Sequence, residues 1–221
     1  MCFGPVASFT ASAVLASIGT AIIRNIRSKK EFLFAAFPIL FSIQQLIEGF
    51  LWLALRHSER GALLENLTFA FLTFAYSFWP ILCPASVYAI EYDHKRRKIL
   101  WALLLLGIAT SSYLFFYIVK NPFSATILNC SIRYKTFVPW ASLFTGMYIL
   151  VIILPYFVSS HHSILVFGIP NFIFLGVAYL FYEVNFISVW CFFAAILSLS
   201  LYFFLRKLHH QSILPILPVL S

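Results

Sequence analysis

An all-α bundle of seven membrane-spanning helices is the fold class this sequence predicts, and three observations carry it. The 221 residues are 62% hydrophobic and 10% charged, with a mean hydropathy of +0.94. Soluble domains are closer to half apolar and a quarter charged. The apolar residues fall into seven runs of about 20, the length an α-helix needs to cross the hydrocarbon core. The basic residues gather in short clusters between those runs, as they do in loops beside a membrane.

The expected spans are residues 5–23, 32–55, 66–90, 99–119, 138–158, 162–182 and 185–205, within one transmembrane domain covering 1–221. The first run has no basic residue before it and a basic cluster after it. It therefore reads as a retained span rather than a cleaved leader. The second carries a proline at 38 and the third two prolines at 80 and 84, so kinks are expected there. The fourth follows the basic run EYDHKRRK. Between the fourth and fifth lies the one long connection, 120–137. The sixth carries Pro170 and Asn171, and the last is rich in small residues.

Counting Lys and Arg in alternate connections puts ten on one side and five on the other. The richer side is expected to be cytoplasmic, which places the N-terminus outside and the C-terminus inside. A formal charge of +8 is compatible with nucleic-acid binding, but no long basic tract exists to track a phosphate backbone. The basic loops are better matched to anionic lipid headgroups. Cys2, Cys83, Cys130 and Cys191 form no CxxC pair and no zinc-finger spacing, so neither a disulfide scaffold nor a structural zinc site is expected.

The stretch FPILFSIQQLIEGFLW, residues 37–52, interrupts this apolar pattern. Gln44, Glu48 and Trp52 recur at i, i+4 and i+8, on one helix face, with Gln45 at its border. An acidic group near mid-membrane costs ~2.5 kcal/mol or more on insertion scales. No Lys or Arg lies inside an expected span. Glu48 must therefore be neutralised by a proton, an imported ion or a neutral hydrogen-bond donor. In the last span, Ser188, Cys191, Ala195 and Ser198 form a small-residue seam of the kind that lets helices approach closely. Cys191 lies about 10 Å below the outer surface, the depth expected for Glu48. Glu183 lies just above it. The first span brings Cys2 to the same side, above a small-residue face at Ser8, Ser12 and Gly19. Cys2, Glu48, Glu183 and Cys191 could thus meet in one outward-facing pocket, and Cys2, Glu48 and Cys191 could hold a soft or borderline cation there. Asn171 is expected to make a hydrogen bond between helices. In FWPILCP, residues 78–84, the prolines free backbone carbonyls that either line a pathway or are taken up by neighbours.

MCFGPVASF at the start, QQLIEGFLW in the second span and SVWCFFAAILS in the last together resemble an uncharacterised group of bacterial multi-span membrane proteins. That group opens Met-Cys-Phe-Ser, carries Gln-Gln-x-x-Glu-Gly-x-x-Trp and ends with a Trp-Cys-Phe-x-Ala-Ala helix. Gly4 stands here where the group has Ser. The resemblance implies a bacterial cytoplasmic membrane. It also singles out Cys2, Gln44, Gln45, Glu48, Trp190 and Cys191. It implies no reaction.

Several seven-span classes do not fit. A retinal protein needs a lysine within its last helix, and zinc hydrolases and serine proteases of the membrane need histidines at depth. All six histidines fall at span ends or in connections, and no GxSxG, HExxH or P-loop motif occurs. Small-solute or ion transport centred on Glu48 is the leading expectation. A sensor or a ligand- or metal-binding module is the alternative. A membrane enzyme ranks last, because no base or positive field stands beside Cys191 in the sequence.

Overall fold

The computed structural model describes residues 4–57, 61–128, 131–181 and 186–198. Glu183 and Cys2, with the last part of the seventh expected span, lie outside these residues. Counted over the described residues, seven helices follow one another: α1 Pro5–Arg24, α2 Lys29–Arg56, α3 Ala62–Ile90, α4 His94–Lys120, α5 Ala141–Val158, α6 His162–Phe181 and α7 Phe186–Ser198. Among the described residues, α1 to α5 are long and apolar enough to cross a membrane. The apolar stretches of α6 and α7, Ile164–Leu180 and Ser188–Ser198, are shorter.

The chain is not purely helical. Phe123–Leu128 (β1) and Ser131–Thr136 (β2) form an antiparallel hairpin in the connection expected to be a loop, with Ala125 paired to Tyr134 and Thr126 to Arg133. Thr126, Ile127, Ile132, Tyr134 and Thr136 are β-branched or aromatic, the residue types that fit a pleated surface. β1 packs on α2 and α3, and β2 on α7, so the hairpin lies against the bundle instead of standing free.

Helix boundaries follow local chemistry. Pro5 takes the first position of α1, where its missing N–H costs nothing. Asp93 caps α4 by accepting from the Arg96 N–H at 2.8 Å, which draws the basic run 94–98 into the helix rather than leaving it in a loop. Pro139 and the left-handed Trp140 (φ 53°) delay α5 until Ala141. In α3, one turn of π-helix, Phe74–Phe78, precedes Trp79–Pro80. Pro80 has no N–H to donate, so the ladder widens there. The carbonyls it exposes are taken up by neighbours: the Tyr148 hydroxyl donates to the Ala75 carbonyl at 2.6 Å, and the Ser111 hydroxyl donates to the Ser77 carbonyl.

Small residues set the closest helix contacts. Ser8, Ser12 and Gly19 are all buried, as the small-residue face of α1 predicts. Ser12 and Ser42 donate reciprocally to each other's carbonyls at 2.9 and 2.8 Å, pinning α1 to α2. The outer surface is apolar: Ile43, Leu46 and Phe50 on α2, Leu105 and Phe116 on α4, and Ile173 and Leu180 on α6 are all exposed. An apolar surface of this extent is rare on a soluble monomer.

At the end where α3 and α5 finish, Glu91 ties two connections together. Its carboxylate is buried and accepts from the Tyr92 and Asp93 N–H groups, both at 2.9 Å. It also accepts from the Ser160 N–H at 2.7 Å and the Ser160 hydroxyl at 2.5 Å. Arg96 donates to the Val158 and Ser159 carbonyls at the end of α5. The His161 ring bonds the Ile90 carbonyl at 3.0 Å. The basic run and the first histidine of the His161–His162 pair therefore help to close the bundle as well as carrying charge.

Burial alone would raise the Glu91 pKa, but the donors of Ser160, Asp93 and Tyr92 outweigh it and hold it down to about 2, below the ordinary 4.5. Stability from this clasp is therefore complete above about pH 4.5 and lost as the pH falls toward 2. Glu91→Gln is expected to cost up to about 3 kcal/mol at neutral pH. It should also flatten the acid limb of a melting-temperature series in detergent. An unchanged acid limb in the variant would count against the clasp.

Candidate functional site

The face of α2 that carries Gln44, Glu48 and Trp52 points inward. Gln44 and Gln45 are fully buried, and Glu48 and Trp52 are each only 2% exposed. Among the described residues, the side-chain partners of the Glu48 carboxyl are neutral. Gln45 Nε2 donates to it at 3.2 Å, and the Ser188 hydroxyl, from the small-residue seam of α7, donates to its other oxygen. Both donors are neutral, one of the three means of compensating Glu48 that the sequence leaves open. Gln44 accepts from Trp79 Nε1 at 2.9 Å and meets the Cys191 thiol on its other side. Trp79 in turn stacks on Phe41 with ring centroids 4.0 Å apart. The two polar segments singled out in α2 and α7 thus meet, with Cys191 in electrostatic reach of Glu48.

Three tyrosines that the sequence reading passed over complete this centre. Tyr76, from the π-turn, and Tyr148, from α5, both lie within electrostatic reach of Cys191. Tyr134, from the hairpin, stacks face to face on Phe71 at 4.5 Å, with Glu48 and Cys191 in electrostatic reach. Its hydroxyl, Gln45 Oε1 and Trp52 Nε1 are buried without a hydrogen-bond partner among the described residues. Farther along the bundle, Tyr148 is electrostatically coupled to Cys83, and the Tyr156 hydroxyl donates to Cys83 Sγ at 3.3 Å. A row of buried protonatable groups thus runs Glu48, Cys191, Tyr148, Cys83, Tyr156. The signal for it in the sequence was tyrosine and cysteine inside apolar runs, which composition alone does not distinguish from ordinary core.

Not every expected residue joins the centre. Asn171 is buried, and its Oδ1 has no partner among the described residues. It lines a small void behind Trp79 and Trp190, together with Cys83 and Tyr156, and makes no hydrogen bond to the Glu48 cluster. Trp190 is buried between that void and Tyr148. Arg56 lies over the Trp52 ring at 5.7 Å, toward the end of α2. Glu48 and Cys191 are both buried, and Cys2 and Glu183, the other members of the expected outward-facing pocket, lie outside the described residues. Among the described residues no group of three or more His, Cys, Asp or Glu is placed to hold a metal, and Cys2, the third of the suggested ligands, lies outside them.

These features define a mostly helical protein with, among its described residues, five helices long and apolar enough to cross a membrane, packed around a buried polar centre. The sequence pattern of a family of unknown function, DUF6629, matches residues 1–213, and the chain belongs to that family. No curated protein and no solved structure matches it.

Proposed function

We propose that this is a multi-pass protein of a bacterial cytoplasmic membrane, with seven spans and its N-terminus outside, that moves protons or a small cation through the Glu48 centre. The observation that carries the reading is a buried carboxyl whose side-chain partners among the described residues are neutral. In a low-dielectric interior an isolated carboxylate is costly, so such a group exchanges a proton or takes up a cation when it ionises. Unfilled polar atoms around it, Gln45 Oε1, Trp52 Nε1 and the Tyr134 hydroxyl, leave capacity for a small polar guest. The row from Cys191 to Tyr156 continues toward the other end of the bundle. On this reading the hairpin, packed on α2, α3 and α7, lies on the outer side.

The test uses the full chain in proteoliposomes with a trapped pH-sensitive dye and a potassium–valinomycin potential. Wild type is expected to carry protons inward. Glu48→Gln keeps an acceptor for Ser188 and is expected to fold, while proton flux falls by about tenfold or more, because the carboxyl proposed to carry the proton is gone. Equal flux in the variant, or none in the wild type, would sink the proposal and leave the Gln44–Glu48 cluster as a clamp between helices.

A further inference from the structure

Near the start of α4 a cleft of about 260 Å³ is lined by Tyr88, His94, Arg97, Lys98 and Trp101. Every charged group lining it is basic. His94, Arg97, Lys98 and Trp101 stand at i, i+3, i+4 and i+7, so they share one face of the helix. The cleft has a shaped wall. Arg97 lies over the Tyr88 ring at 4.1 Å and is held by the Tyr88 and Glu91 carbonyls at 3.2 and 3.0 Å. The Tyr88 and Trp101 rings are 5.9 Å apart. Arg97 is therefore positioned by the fold, while His94 and Lys98 are exposed.

The same helix face continues as an apolar ridge. Trp101 is 50% exposed, Leu105 50% and Ile108 41%. They follow the basic residues at helical spacing. Trp101 lies about 10 Å along the axis from the helix start, which puts the basic groups at headgroup level and the indole at the edge of the hydrocarbon. Basic groups over a tryptophan over an apolar ridge match the order of parts in a phospholipid: phosphate, glycerol region, acyl chain.

We propose that this cleft is a binding site for an anionic phospholipid, its phosphate held by His94, Arg97 and Lys98 and one acyl chain lying along Trp101, Leu105 and Ile108. The inference rests on the membrane reading above but not on transport through Glu48. It goes beyond diffuse attraction between basic loops and a charged surface, because it assigns one cleft and excludes the other basic residues at the same end.

The experiment is native mass spectrometry of the full chain, extracted from salt-washed membranes in detergent and titrated with phosphatidylglycerol or phosphatidylcholine of identical acyl chains. Wild type is expected to retain phosphatidylglycerol in preference to phosphatidylcholine. The double variant H94Q/K98Q should weaken phosphatidylglycerol binding about tenfold, and K98Q alone about fivefold. Arg24→Gln with Lys29→Gln removes charge at the same end but away from the cleft, and should leave binding unchanged. Excess inorganic phosphate should not displace the lipid, and Trp101→Ala should weaken lipid retention. Equal binding of the two lipids would overturn the site, as would an equal loss in the Arg24/Lys29 variant. Displacement by inorganic phosphate would turn it into a free-phosphate site. A chain absent from the salt-washed membranes would instead overturn the membrane reading itself.

Discussion

Gly107→Ala is expected to be among the most damaging single substitutions in the chain. A Cβ at Gly107 would lie 2.0 Å from the Pro80 carbonyl oxygen of α3 and 3.6 Å from the Pro84 ring. The obstruction is backbone rather than the tip of a flexible side chain, so relief requires α3 and α4 to separate. Separation would pull Ser111 from the Ser77 carbonyl and loosen the π-turn that carries Tyr76. Overpacking in a core typically costs 1–3 kcal/mol, and here about 3 kcal/mol or more is expected, because the clash meets rigid backbone. Gly146→Ala is the matched control, since nothing lies within 4 Å of a Cβ there. Thermal unfolding of detergent-purified protein should show a large drop for Gly107→Ala and little change for Gly146→Ala. Similar melting temperatures for the two would refute the close crossing of α3 and α4.

Trp79→Ala is expected to have the other large effect, by a different route. Trp79 is 2% exposed, stacks on Phe41, meets Phe37 edge-on at 5.5 Å and donates its indole N–H to Gln44. Truncation removes the ring and leaves Gln44 Oε1 without its donor. In lipid the water-transfer part of a core deletion is largely absent, but the lost packing and the unfilled acceptor remain. A loss of about 3 kcal/mol is expected. Trp79→Phe separates the two contributions: it keeps most of the stacking and loses only the donor, so it should cost about 1 kcal/mol. If the two variants unfold at the same temperature, the ring contributes nothing beyond its N–H and the packing account is wrong. Because Gln44 also meets Cys191, Trp79→Phe should change the reaction of Cys191 with a membrane-permeant thiol reagent.

The inward face of α2 could be read from spacing alone. Gln44, Glu48 and Trp52 at i, i+4 and i+8 lie on one side of any helix, and a polar stripe in an apolar run has to face protein. The small residues of α7 could be read for the same reason, and the structure pairs the two through Ser188 and Glu48. The hairpin at 123–136 could not be read as easily. Its strands are short, and although FSATIL and SIRYKT largely alternate apolar with polar residues, their burial does not follow that alternation, because packing against α2, α3 and α7 differs from position to position. Glu91 was hidden for another reason. In the sequence it opens a basic run and resembles a neutralising surface acid, and its role depends on Ser160, 69 residues away.

Taken alone, the sequence determined the helical apolar architecture, the positions of most helices and the polar face of α2, because these depend on residue type and on the 3.6-residue repeat. The tertiary structure decided which groups meet that face. Tyr134 reaches Glu48 from a hairpin, Cys191 meets Gln44 from the last helix, and Gly107 admits the Pro80 carbonyl. Such contacts join residues far apart in the chain. They depend on how helices cross and where a proline displaces a hydrogen-bond ladder, and no local pattern of residues encodes that.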